Sequence, residues 1–186
     1  MAKFYRKKRP KCKFRSNLKT PYYFAYGMNT NLQEMAGRCP KAVNLGRVTL
    51  QDYELKFRGP ADIDYAPGME MQGVLWRITP QCEAALDRLE GYPYMYTKIR
   101  VKIDLVKPIN NMTHVWAMAY IMTGKCQEYP PGIHYERCLL DGYADNGLDI
   151  KPLTEAVSRV ILNDNKKYQS NGYSKSYFDE NYIGNY

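Results

Sequence analysis

No run of 18 apolar residues occurs in this chain of 186, and nothing near its start supplies the seven or more consecutive apolar residues of a secretory leader. A membrane-spanning helix is therefore not expected, and neither a membrane partner nor export is implied. Histidine is scarce: His114 and His134 stand alone, without ligand spacing between them, which argues against a zinc site. The five cysteines (Cys12, Cys39, Cys82, Cys126 and Cys138) are odd in number and never form CxxC. Free thiols in the cytoplasm or another reducing compartment are the expectation. Positions 1–21 hold no acidic residue.

Those 21 residues carry nine Lys or Arg, whereas the rest of the chain has 18 bases against 19 acids, so the net charge of +8 belongs to a tail. With so few core-forming residues the segment cannot offset its ordering entropy, and it is expected to be disordered alone. Phosphate contact with nucleic acid or a nucleoprotein assembly is one use for it; a solvated leader or a mitochondrial-type presequence is another. The whole chain is 45% apolar and has 18 tyrosines, which suits one globular domain over residues 22–162. Residues 163–186 read as a Tyr/Asn-rich C-terminal tail.

Within the domain, Tyr22 to Tyr26 is a short buried strand after Pro21. Asn31 to Gly37 reads as a helix, with Asn31 as N-cap, Glu34 in capping-box position and Gly37 as the stop. Strands follow at Val48 to Phe57 and Gln72 to Ile78. Thr79-Pro80 opens a helix whose stripe is Cys82, Ala85, Leu86 and Leu89, with Gly91 as its end. From Lys98 to Leu105 the chain alternates strictly, Ile99, Val101, Ile103 and Leu105 facing inward while Lys98, Arg100, Lys102 and Asp104 face water. Val115 to Met122 is apolar on both faces, as a central strand is. A last helix, Tyr135 to Asp145, ends at Asn146-Gly147. Strands outnumber helices without βαβ alternation, so the class is α+β with a mostly antiparallel sheet, a small barrel being one form of it.

Two places carry chemistry. The stretch YYFAYGMNTNL (Tyr22 to Leu32) ends a buried strand in glycine and feeds a short helix, which directs backbone N–H groups into one small volume suited to a carboxylate or phosphate. There glycine would supply an unusual backbone angle or a close approach; an ordinary turn has the same pattern. Glu90 lies at the C-terminal end of its helix, where the helix dipole and partial burial both favour the neutral acid and lift its pKa toward neutrality. Such a carboxyl can exchange a proton at physiological pH, although a solvated surface glutamate would show the same spacing. Asp87, three residues earlier, could pair with Glu90 as in a glycosidase.

Tyr26-Gly27-Met28-Asn29, GVLW (Gly73 to Trp76), LDRLEG (Leu86 to Gly91) followed by Tyr96, AYI (Ala119 to Ile121) and YERCLLDGYADNGL (Tyr135 to Leu148), in that order, resemble the gamma-glutamylcyclotransferase family with its AIG2-like branch, over residues 22–155. The resemblance implies a mixed, mostly antiparallel barrel of five or six strands with surrounding helices and a cavity for a gamma-glutamyl group. It implies that Gly27, Met28 and Asn29 present main-chain N–H groups to the substrate's α-carboxylate, that Glu90 is the acid/base, and that Tyr26, Tyr96 and Tyr120 line the pocket. The implied reaction is cyclisation of a gamma-glutamyl amine or peptide to 5-oxoproline and a free amine, which needs no metal or cofactor. Two positions depart from the family pattern: Met28 replaces the usual serine, and Thr30 a commonly apolar residue. The alternative is a catalytically weak relative that serves as a nucleic-acid-associated structural or binding protein through residues 1–21.

Overall fold

The computed structural model describes residues 21–124 and 127–170, with side chains up to Asn163. The basic segment before Pro21, Cys126, and residues 171–186 lie outside the described residues, and with them the expectations placed there. The elements are β1 (Tyr22–Ala25), a one-turn 3-10 helix (Met28–Thr30), α1 (Leu32–Arg38), β2 (Val43–Phe57), β3 (Ala61–Arg77), α2 (Pro80–Leu89), β4 (Tyr96–Ile109), β5 (Met112–Met122), α3 (Ile133–Asp145) and α4 (Lys151–Ser170).

The five strands close into a barrel in the order β1-β3-β2-β4-β5. All neighbours are antiparallel except β1 and β5, which meet in parallel at Tyr23 and Met118. This is the expected α+β mixed barrel. Phe24, Leu75, Ile103, Ala117 and Ala119 fill its interior with no exposed surface, and closure leaves no unpaired sheet edge.

β2 and β3 are longer than the sequence suggests. β2 begins at Val43 rather than Val48, and β3 at Ala61 rather than Gln72. The added stretch of β3 contains Pro67-Gly68. In the fold it bulges out opposite Asp52, whose carboxylate accepts the Gly68 N–H at 2.9 Å. β4 and β5 likewise run on to a two-residue turn in which Asn110 and Asn111 both take left-handed angles.

Other differences concern burial. α1 starts as expected, the Asn31 side chain accepting from the N–H groups of Gln33 and Glu34, but it passes through Gly37 and ends at Arg38, with Cys39 as its C-cap. Lys98 is buried, not solvated, because the acidic flank of α2 lies over it. Trp116 is partly exposed on the outer face of β5, where the Arg100 guanidinium covers its ring at 4.5 Å. Leu89 departs from the core stripe of α2 and is half exposed.

α4 is unforeseen. Leu153, Ala156, Val157 and Val160 form a helical stripe buried against the barrel, and the helix continues through the expected tail boundary at 162/163. Among the described residues no helix is long and apolar enough to cross a membrane.

Candidate active site

β1 delivers the chain into the 3-10 turn at one end of the barrel, and α1, α2 and α3 converge there. Trp76 of β3 anchors the turn by donating its indole N–H to the Asn29 carbonyl at 3.0 Å. Gly27 stands where β1 becomes the turn. Its φ of −105° is open to any residue, so the unusual angle expected of it is absent. The reason for glycine is space, since a β-carbon there would lie 3.1 Å from the Tyr135 hydroxyl. On α2, Glu90 occupies the C-cap, and Gly91 follows with φ +60°, letting the Tyr92 N–H return to the Asp87 carbonyl at 2.9 Å. That reversal fixes Glu90 facing the 3-10 turn.

Between them lies a cavity of about 240 Å³. The seven site residues that the family resemblance implies line it: Tyr26, Gly27, Met28, Asn29, Glu90, Tyr96 and Tyr120. Others complete the wall without having been anticipated individually, among them Tyr23, Arg38, Met95 and Tyr135. Tyr23 and Tyr135 sit inside quoted motifs, but nothing in their spacing says which way their rings point. Arg38 had a legible signal, its i,i+4 spacing from Glu34 on α1.

The tyrosines are braced by main-chain groups. Tyr26 donates to the Tyr120 carbonyl at 2.6 Å and Tyr96 to the Ala61 carbonyl at 3.1 Å. Tyr135 accepts the Ala61 N–H at 3.0 Å, and the Met28 N–H reaches the same oxygen. Burial pushes the Tyr135 hydroxyl up to about 12 and raises Tyr23, Tyr26, Tyr96 and Tyr120 as well, so all five stay neutral around pH 7.

Glu90 is held up mainly by burial, against which the charge of Arg38 and a hydrogen bond from Asn29 act in the opposite sense. Asn29 Nδ2 donates to Glu90 Oε1 at 3.3 Å and to the Tyr23 hydroxyl at 2.9 Å. Arg38 Nη1 donates to Asn29 Oδ1 at 2.7 Å. Its Nη2 bridges Glu34 Oε2 at 2.6 Å and Met28 Sδ at 2.9 Å. Met28 thus lines the wall with its thioether drawn onto Arg38.

The carboxylate pair considered from spacing does not form. Asp87 accepts from Tyr120 at 2.6 Å and is salt-bridged to Lys98 at 2.7 Å, and it is not among the residues that line the cavity. Thr30, in its unusual position, is fully buried with its hydroxyl unpartnered. Among the described residues no cluster of His, Cys, Asp or Glu is placed to hold a metal ion.

Fold and site together describe a small-barrel protein with a single uncompensated carboxyl group facing a tyrosine-lined cavity. The family described as "Gamma-glutamyl cyclotransferase, AIG2-like" matches residues 23–137. A gamma-glutamylcyclotransferase from Bos taurus is 30% identical over 142 residues, covering 69% of this chain and 73% of the relative. One from Homo sapiens is 30% identical over 155 residues, covering 76% and 79%. A solved structure titled "Gamma-glutamyl cyclotransferase" superposes with a TM-score of 0.64 at 28% identity, over 73% of this chain and 85% of that one. The chain belongs to the gamma-glutamyl cyclotransferase, AIG2-like family and is an enzyme of that type.

Proposed function

We propose that the cavity takes the gamma-glutamyl group of a gamma-glutamyl amine or peptide and closes it to 5-oxoproline, releasing the amine, with Glu90 as general acid/base. The observation that carries this reading is the position of Glu90: a partly buried carboxyl at the C-cap of α2, tethered to the strand-end turn through Asn29.

The substrate's α-amino nitrogen attacks its own γ-amide carbonyl, so nucleophile and electrophile are already joined. Holding them in the attacking conformation supplies effective molarities of about 10⁵ to 10⁸ M in favourable cases. What remains is proton transfer. Glu90 takes a proton from the α-ammonium; the freed amine attacks and forms the ring C–N bond; Glu90 returns that proton to the departing nitrogen as its C–N bond to the carbonyl carbon breaks, and the remaining extra proton on the ring nitrogen passes to the released amine, which leaves as an ammonium. A carboxyl with a raised pKa serves both halves of that exchange.

The α-carboxylate is received at the turn. In this reading the Gly27 and Asn29 N–H groups donate to it. Because the Met28 N–H already reaches Tyr135, the Tyr135 hydroxyl, which accepts from two N–H groups, has its own proton left to donate to the carboxylate. Tyr26, Tyr96 and Tyr120 form the walls, and Met28, restrained by Arg38, supplies apolar surface where the usual serine would present a hydroxyl. The test is 5-oxoproline release from a panel of gamma-glutamyl amines and dipeptides between pH 6 and 9, with Glu90→Gln as control. Turnover that survives in the Gln variant rules Glu90 out, and no product from any compound removes the reading.

A second role is proposed for residues 1–21, whose nine bases without an acid suit contact with nucleic acid phosphates. It predicts salt-sensitive RNA or DNA binding that disappears when those residues are deleted.

A further inference from the structure

Arg38 belongs to no motif quoted above, yet among the described residues it is the only cationic side chain lining the cavity. Its guanidinium is engaged on three sides: the Asn29 carboxamide oxygen, the Glu34 carboxylate and the Met28 sulfur. With those donors committed, it is poorly placed to clamp a substrate carboxylate in two-pronged fashion. What it does instead is decide an orientation. A carboxamide can present either its oxygen or its NH₂ to a neighbour. Because Arg38 can only donate, Asn29 Oδ1 must turn to Arg38, and Nδ2 must then face Tyr23 and Glu90. Flipped, the amide would set its oxygen against the Glu90 carboxylate.

We infer that Arg38 is a positioning residue: by holding the Asn29 oxygen it aims the amide NH₂ at Glu90 Oε1, and through that bond and its own charge it governs where the Glu90 carboxyl gains and loses its proton. Its catalytic importance rests on the role proposed for Glu90. The other titratable groups facing Glu90 are Tyr23 and Tyr26 of β1, Tyr96 of β4, Tyr120 of β5 and Tyr135 of α3, all neutral through the range of interest. Asp62 of β3 stands beyond Tyr26 and Tyr96 and is bound by Arg58. On α2 itself, Asp87 is neutralised by Lys98. Among the described residues Arg38 is thus the one cation whose removal changes the field at Glu90 directly, and Glu34 is the anion that tempers it.

The charges make a prediction with two signs. Arg38→Met removes both the charge and the clamp, so the Glu90 titration midpoint rises, by about one pH unit. Glu34→Gln removes only the partner that tempers Arg38, so the midpoint falls, by a fraction of a unit. Arg38→Lys keeps the charge, but one ammonium cannot grip Asn29 and Glu34 together. Its midpoint stays near that of the wild type while kcat drops.

The experiment follows the ¹³C resonance of the Glu90 carboxyl in the full-length protein against pH, assigned with Glu90→Gln, alongside pH profiles of kcat/KM. Opposite displacements in the Met and Gln variants, mirrored in the acidic limb of the rate profile, support the inference. Displacement in the same direction, or none beyond about 0.2 unit with only kcat or Tm affected, assigns Arg38 a merely structural part and overturns it. Should Arg38→Met fail to fold, Glu34→Gln decides alone, since Glu34 is 41% exposed at its side chain; an upward or absent shift there is then the overturning result. The titration needs no turnover, so an inactive wild type would defeat the proposed reaction while leaving this inference to be judged separately.

Discussion

Two acidic residues on α2, one helical turn apart, meet opposite fates. Asp87 lies over β4, where Lys98 reaches both it and Glu83, at 2.7 and 2.5 Å, and stacks near the Tyr92 and Tyr120 rings. Glu90 lies over the mouth of the barrel, where the nearest cation touches it only through Asn29. Charge compensation is complete at the first and withheld at the second. A fold that neutralises the carboxylates beside Lys98 and leaves the carboxyl facing the cavity without a direct cation has concentrated electrostatic tension where proton transfer is useful.

The sharpest way to break this contrast is Glu90→Gln. It keeps shape and burial while removing the exchangeable proton, so 5-oxoproline formation should fall by about 10³-fold, with Tm unchanged or higher; product assay and calorimetry check both. At the other carboxylate, Lys98→Met should cost about 2 kcal/mol in urea unfolding. The variant strands Asp87 and Glu83 without their cation, although the partial exposure of both keeps the loss below that of a fully buried pair. The contrast can also be sharpened inside the site. Thr30→Val replaces a buried, unpartnered hydroxyl with a methyl group and should stabilise by about 1 kcal/mol without altering the Glu90 titration.

The smallest effect is one of linkage. Folded Glu90 holds its proton to higher pH than unfolded glutamate, so in that window the native state binds more protons and stability falls as pH rises. The excess stability of Glu90→Gln over wild type should therefore be largest near neutrality and vanish below about pH 4, the unfolded value. A constant difference across that range would mean Glu90 is not desolvated.

Much of this was legible in residue order. Asn31 as N-cap, Thr79-Pro80 at the start of α2 and Gly91 after its end are local signals obeyed locally, and the last of them places Glu90. Signals failed where distant segments intervene. β3 reads as starting at Gln72 because the bulge at Pro67-Gly68, through which it extends back to Ala61, depends on Asp52 across the ladder. Lys98 reads as solvated because alternation describes one strand and not the helix laid over it. α4 is a different case, since its stripe at Leu153, Ala156, Val157 and Val160 has the helical period in plain view.

For the cavity, the chain order supplied the residue types: a strand ending in Tyr-Gly, a carboxyl at a helix end, tyrosines spaced along later strands. Which carboxyl would lose its water and go without a full counter-ion was settled by assembly. Backbone angles and caps depend on neighbours along the chain, whereas the field at a carboxylate is a sum over neighbours in space. Here those neighbours, Arg38 from α1, Lys98 from β4 and Tyr135 from α3, arrive from segments that meet only when the barrel closes.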